Sequence, residues 1–496
     1  MNAQVIKKVV IAGGGTAGWC AAAALSRLLG SVLDITLIES ADIGIVGVGE
    51  STIPTVRAFH HLISVDEQAF MRETNATFKL GIDFENWARQ GDRYFHSFGT
   101  LGKSPWMAHF YNIWLEARSK GFGGSLDDYS LETKAAMAGK FQLHKNLPIN
   151  YAYHLDAVLY GKYLRKLSEE AGVKRQEGQI VSVQQDAGTG FITSVTLASG
   201  EVIEGDLFID CTGFRGLLIE ETLKTGYEDW SHWIRTDRAL AVQTESAGAP
   251  LPYTKVVAHT AGWRWRIPLQ TRVGNGLVYS GAHMSDDEAH ALLTNSVDAP
   301  MVNTPRVIKY KTGRRRKIWN KNCVAMGLSS GFIEPLESTS IHLFQKSILN
   351  LIQHFPFFGI TDALVARYNE LSDREAEYAR DFVILHYKLT ERTDSPFWPE
   401  NAEMTVPDSL QSRIDLFRES GVAYQEPGEL FRTDSWAQVM LGQRLEPQGW
   451  HRLGALMNPA EMNQVFDGLK ATVDNTVANM MSQDAFLKQY CPTAIG

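Results

Sequence analysis

Lys79 sits in Thr77-Phe78-Lys79-Leu80-Gly81-Ile82, a single cation in an otherwise apolar run. Most lysines are exposed. A buried one loses hydration, its pKa falls, and it serves as a compact hydrogen-bond donor. Glu334 and Glu337 lie three residues apart in Gly331-Phe332-Ile333-Glu334-Pro335-Leu336-Glu337-Ser338-Thr339-Ser340. A carboxylate there can take up a proton or stabilise a cationic intermediate. On residue type alone the two are equally an acidic pair favoured near a helix N-terminus. Apolar residues at helical spacing, Ile341, Phe344, Ile348, Ile352 and Phe355, place a helix directly after Ser340. Its first N–H groups suit a small anion, or ordinary capping by the Thr339 and Ser340 hydroxyls.

The elements that position these groups begin at the N-terminus. Residues 5–12 read as a buried strand, and Gly13-Gly14-Gly15-Thr16-Ala17-Gly18 follows. An alanine-rich helix is expected over 19–29 and a second strand over 34–39. Gly13, Gly15 and Gly18 fit G-x-G-x-x-G in a βαβ context, which places a pyrophosphate at the helix N-terminus. Glu39 closes the second strand, where a carboxylate meets ribose hydroxyls. Further on, Asp206-Leu207-Phe208-Ile209-Asp210-Cys211-Thr212-Gly213 resembles the second flavin motif of glutathione-reductase-type proteins. That motif favours FAD over NAD and adds Asp210 and Gly213 to the cofactor set. A β-rich segment covers 176–209. Residues 235–285 read as an antiparallel sheet, with Gly274-Asn275-Gly276 as a hairpin turn. The remainder is mostly helical, with proline breaks near 396–407 and 426–427. The fold class is α/β: a Rossmann-like FAD domain, an antiparallel sheet and a helical C-terminal substrate region. The expected division is a discontinuous FAD module over 1–350, its substrate-facing sheet around 225–300, and a helical substrate or lid region over 351–496.

Composition narrows the function classes. The chain has 496 residues, 44% of them hydrophobic, enough for a large core. A net charge of −8 argues against nucleic acid as the main partner. The run Arg314-Arg315-Arg316-Lys317 is too short to reverse that and reads as a solvated or phosphate-facing edge. Four scattered cysteines show no metal-ligand spacing, so no metal site is expected. No apolar run has membrane-spanning length, and a cytoplasmic location is expected.

Four further stretches resemble the flavin-dependent, tryptophan-type halogenases. They are Gly47-Val48-Gly49-Glu50-Ser51-Thr52-Ile53-Pro54, Phe78 to Trp87 around Lys79, Trp263-Arg264-Trp265-Arg266-Ile267-Pro268, and the Glu334–Ser340 stretch. The resemblance implies reduced FAD, dioxygen and chloride or bromide as the source of hypohalous acid. Lys79 would hold or activate that oxidant, and Glu337, rather than Glu334, would be the carboxylate beside the reacting ring. Thr339 and Ser340 would bind halide, although Ser340 stands where the family usually has glycine. Gly49, Glu50, Ser51 and Gly327 would join Gly13, Gly15, Thr16, Ala17, Gly18 and Glu39 at the flavin. Trp263 and Trp265 would separate flavin from substrate; the alternative is ordinary core packing.

His96-Ser97-Phe98 matches an H-x-F segment that lines the indole site, with a satisfied core histidine as the alternative. Phe431 lies in a partial match to the substrate lid. There Arg432 replaces a usual tryptophan, and Pro427 lies about where a glutamate would hold the substrate amino group. The expected substrate is an indole-like or other electron-rich arene, with free tryptophan poor. No second dinucleotide motif is present, so a separate flavin reductase is the expected electron source. A homodimer is left open. The rival readings are an FAD-dependent aromatic hydroxylase, a non-catalytic flavin-binding redox sensor and, less favoured, a nicotinamide dehydrogenase.

Overall fold

The structure is a computed structural model that describes residues 5–40, 49–105 and 107–492. A six-stranded sheet forms its nucleotide side, in the order Trp319–Asn320, Cys323–Ala325, Leu207–Asp210, Lys8–Ala12, Asp34–Glu39, Lys174–Glu177. All neighbours in it are parallel except the first pair. Its central strands Lys8–Ala12 and Leu207–Asp210 are near-continuous apolar runs because both faces are covered. The helix Thr16–Leu29 starts inside the glycine loop, three residues earlier than the sequence suggests, and buries Trp19 through Ser26. Glycine at 18 permits this: a Cβ there would lie 1.9 Å from the Gly13 carbonyl oxygen.

A seven-stranded sheet stands beside it: Arg306–Lys309, Arg238–Glu245, Arg272–Tyr279, Gly262–Pro268, Thr254–His259, Gly81–Glu85, Arg93–Ser97. The expected antiparallel meander is its centre. The glycines at 274 and 276, however, lie inside the strand Arg272–Tyr279 and not in a turn. Close approach explains them. Gly276 pairs with Trp265, and a Cβ at 276 would fall 1.9 Å from the indole. A Cβ at Gly274 would fall 3.0 Å from Gly49 Cα. The chain reverses instead at 269–271, where Leu269 N–H donates to the Arg272 carbonyl at 2.9 Å.

A small antiparallel sheet, Gly49–Ser51, Ala152–Asp156, Thr77–Lys79, joins the two halves. The C-terminal part is helical, led by Ser340–Gln353 and the 27-residue Asp362–Lys388. Pro396 and Pro407 precede the helices Phe397–Glu403 and Asp408–Ser420, as the sequence breaks suggest. The last helices turn back: Leu487 and Cys491 belong to the same apolar cluster as Val9 and Phe78. Within the 314–317 run, Arg314 reaches Glu228, Asp373 and Glu377, and Arg315 pairs with Glu220. That run therefore braces the fold, with Arg316 and Lys317 exposed. Among the described residues no helix is long and apolar enough to cross a membrane.

Candidate active site

A cavity of ≈ 1020 Å³ runs from the glycine loop to the centre of the seven-stranded sheet. Gly13, Gly15, Thr16, Ala17, Glu39, Gly213 and Gly327 line one end; Gly49, Glu50 and Ser51 line its side. Gly13 holds φ +112°, where a Cβ would meet the Cys211 carbonyl oxygen at 2.2 Å. A Cβ on Gly15 would meet nothing within 4 Å, so its backbone faces open space at the helix start. This is the cradle a pyrophosphate needs. Glu39 is held by Arg175 Nε (2.5 Å), Arg165 Nη1 (3.3 Å) and Trp19 Nε1 (3.1 Å). The strand–loop–helix, the cradle and an elongated cavity together fit FAD.

Asp210 and Gly18 stand behind this wall. The Asp210 carboxylate accepts from the N–H groups of Leu218 and Ile219 (both 2.8 Å), from Thr212 and from Ser329. It shapes the loop that carries Gly213. Burial pushes the Glu50 carboxyl up to about 7. Gly47 and Val48 lie outside the described residues.

Trp263 and Trp265 form part of the far wall, ring centroids 5.8 Å apart. Trp263 Nε1 donates to Glu334 Oε1 at 2.9 Å. Tyr387 also donates to Oε1 (2.6 Å), and Thr236 donates to Oε2. Burial raises the Glu334 pKa to about 7 against these three donors. Glu334 is thus a bolt for the tryptophan wall.

Ser338 and Ser340 end the cavity on the other side. Directly behind Ser338 lies Lys79, fully buried. Its Nζ donates to Ser338 Oγ (2.8 Å) and to the Thr52 carbonyl (3.2 Å). It lies 5.0 Å from the Phe98 ring centroid. Burial lowers its pKa to about 7, with the nearby Glu337 charge opposing. Ser338 adopts φ +61°, in the left-handed region that a serine adopts at a cost. That turn separates Glu337 from the helix start. Thr339 precedes the helix in an α conformation, makes no cap bond, and leaves its buried Oγ1 without a partner. Simple N-capping is therefore not its use here.

Glu337 is buried and gripped on both oxygens. His96 Nδ1 lies 2.8 Å from Oε2 and His386 Nε2 2.8 Å from Oε1. Burial acts to raise its pKa, but the attraction and hydrogen bonds of the two imidazoles outweigh it and hold the carboxyl below its usual value. His96 also approaches Phe382 (5.5 Å) and Phe431 (6.3 Å), which stack on each other at 3.7 Å. Lys79, Glu337, His96, Phe98 and Phe431 are thereby gathered on the side of Ser338 away from the nucleotide end. The residues missed by sequence are His386, Tyr94 and Phe382. Phe382 and His386 are spaced i, i+4 on one helix, a pattern that a buried helix face shows equally well.

The tryptophan halogenase family model matches residues 8–459. This chain belongs to the tryptophan halogenase family. It is 34% identical to the tryptophan 7-halogenase RebH of Lentzea aerocolonigenes, over 98% of each chain. Among solved structures, Xcc4156, a flavin-dependent halogenase from Xanthomonas campestris, superposes with TM-score 0.98 at 50% identity, over 99% of this chain and 100% of that one. BrvH, a flavin-dependent halogenase from Brevundimonas sp. BAL3, gives 0.94 at 41%, over 98% and 99%. The halogenase is thus an FAD-dependent enzyme acting on an aromatic substrate, and the hydroxylase and sensor alternatives are not favoured.

Proposed function

We propose that this halogenase passes an oxidant from the flavin cavity to Lys79 through the wall at Ser338, and that Glu337 completes substitution on an indole-like ring. Bound reduced FAD, with dioxygen and halide, supplies hypohalous acid. The observation that carries the reading is the Lys79 amine: fully buried, near Glu337, and bonded to a serine on the cavity wall. With its pKa lowered to about 7, Lys79 is available near neutral pH either as a donor to the oxidant or as a neutral amine that takes the halogen and releases water. Glu337, kept ionised, stabilises the cationic ring and removes its proton. The unpartnered Thr339 hydroxyl and the helix start at Ser340 are the halide site. Trp263 and Trp265 keep the arene from the flavin. Asp210 and Gly18 serve the cofactor indirectly, through the loops they shape.

The lid supports a neutral arene over free tryptophan. Arg432 Nη2 is spent on the Phe98 and Gly99 carbonyls (2.6 and 2.8 Å). Glu429, two residues from Pro427, is buried between Arg413 Nη2 (2.8 Å) and Trp436 Nε1 (2.9 Å). The Glu429 carboxylate is therefore not left to hold a substrate amino group. The remaining parts of the proposal are a separate flavin reductase, a cytoplasmic location, and the division into a 1–350 flavin module and a 351–496 substrate region. The test incubates the protein with FAD, a flavin reductase, NADH and indole, with chloride or bromide. Halogenated indole is expected by mass spectrometry, and Lys79→Ala is expected to lose it while flavin oxidation continues. Efficient halogenation of free tryptophan, or oxygenated product without halide, overturns the reading.

A further inference from the structure

Four buried side chains, Thr77, His154, Thr254 and Ser51, form one hydrogen-bonded chain that ends on the cofactor cavity. Thr77 Oγ1 donates to the Pro268 carbonyl at 2.7 Å. His154 Nδ1 lies 3.0 Å from Thr77 Oγ1, His154 Nε2 3.0 Å from Thr254 Oγ1, and Thr254 Oγ1 2.9 Å from Ser51 Oγ. All four are buried, and Thr254 and Ser51 line the cavity. We propose that His154 is a positioning residue that turns the Ser51 hydroxyl hydrogen away from the cavity, so that Ser51 offers the flavin an acceptor-only oxygen and favours its reduced form. This rests on the halogenase reading above.

Each link in the chain has one direction. A carbonyl oxygen cannot donate, so the single Thr77 hydroxyl hydrogen points at Pro268. Toward His154, Thr77 Oγ1 can then only accept, which puts a hydrogen on Nδ1. Burial, reinforced by the nearby Lys79 charge, holds the His154 pKa well below its usual value. The ring is therefore neutral, and Nε2 carries a lone pair. Nε2 accepts from Thr254, whose one hydroxyl hydrogen is spent there. Thr254 Oγ1 in turn accepts the Ser51 hydrogen. What Ser51 has left for a ligand is lone pairs.

Position decides what those lone pairs meet. The next residue, Thr52, accepts the Lys79 amine through its carbonyl at 3.2 Å. Two residues before Ser51, a Cβ on Gly49 would meet Ile267 Cγ2 at 3.4 Å, on the strand that carries Trp263 and Trp265. Ser51 thus stands where the cofactor cavity approaches both the tryptophan wall and Lys79. The reacting edge of the flavin must face this side if its oxidant is to reach Lys79. In reduced flavin that edge carries an N5–H; in oxidised flavin N5 is a bare lone pair. An acceptor-only oxygen bonds the first and opposes the second. A serine free to turn its hydroxyl would serve both.

Anaerobic equilibrium dialysis measures the affinities of oxidised and dithionite-reduced FAD, without halide or arene. Wild type is compared with Ser51→Ala, Thr254→Val, His154→Leu and His154→Gln, with thermal melts as a fold control. The quantity read is the ratio of reduced to oxidised affinity. Ser51→Ala removes the acceptor, and the ratio should fall about 5–10-fold, the worth of one hydrogen bond. Thr254→Val keeps the side chain's shape and frees the Ser51 hydrogen, so oxidised FAD should gain while reduced FAD loses. His154→Leu should lower the ratio as well. His154→Gln, which can present an N–H and a carbonyl to the two threonines, should restore it. Thr254→Val carries the test if His154→Leu fails to fold. Equal losses in both redox states, or an unchanged ratio in Thr254→Val, overturn the proposal. Absence of halogenated indole from wild type in the halogenation assay instead sinks the halogenase reading.

Discussion

Replacing Lys79 by methionine tests whether its amine is as desolvated as the structure shows. The side chain is fully buried, and burial takes its pKa from 10.5 to about 7. Below pH 7 the lysine is protonated in both folded and unfolded chains, and the folded state carries the whole cost of a buried ammonium. As pH rises past 7 the folded protein releases the proton while the unfolded chain keeps it up to 10.5. The cost therefore falls over that window and is gone above it. At 1.36 kcal/mol per pH unit it is about 5 kcal/mol at pH 6 and about 2 kcal/mol at pH 9. The lost bonds to Ser338 and Thr52 subtract from the variant at both pH values, and the attraction to Glu337 is already contained in the pKa of about 7. Lys79→Met should thus gain about 3 kcal/mol on wild type between pH 9 and pH 6. Urea midpoints read by pulse proteolysis of the flavin-free proteins measure this. An equal stability difference at the two pH values would refute a desolvated amine.

Gly276→Ala drives a methyl into the Trp265 ring and should destabilise by about 1–3 kcal/mol in urea. The indole must turn aside, so oxygenated product should appear beside halogenated product by mass spectrometry. Gly13→Ala forces a Cβ to 2.2 Å from the Cys211 carbonyl at positive φ, and FAD binding followed by flavin fluorescence should be lost. Arg413→Ala strands the buried Glu429 carboxylate and should cost about 3–5 kcal/mol in chemical denaturation.

The local motifs were legible because their chemistry is local. The glycine loop, the strand after it and the helix at Ser340 each carry their reason within a few residues. Lys79 was legible only through the company of Phe78, Leu80 and the other family-like stretches, since composition alone would have put it on the surface. What stayed hidden depends on contacts between distant strands and helices. The glycines at 274 and 276 read as a turn because a glycine pair looks the same whether it permits a reversal or the approach of Trp265 and Gly49. His386 lies 49 residues from Glu337, and nothing in the apolar stretch Phe382–Tyr387 around it distinguishes a grip on a carboxylate from a packed core histidine. The separation of Glu334 from Glu337 was equally invisible. Their spacing allowed either to serve, and only the short turn Pro335–Glu337 between them sends one to the tryptophans and the other to the imidazoles.

The small sheet of Gly49–Ser51, Ala152–Asp156 and Thr77–Lys79 sets Ser51, His154 and Thr77 abreast. His154 bonds Thr77 Oγ1 and Thr254 Oγ1 (both 3.0 Å), and Thr254 Oγ1 lies 2.9 Å from Ser51 Oγ. A one-residue slip along that rung would exchange the faces of the moved strand. The segment flanking the cofactor and the segment bearing the amine are therefore inherited as one part. Any transplant of residues 49–54 from a relative must bring a matching partner for His154, or the graft will misplace a nitrogen more than two dozen residues away.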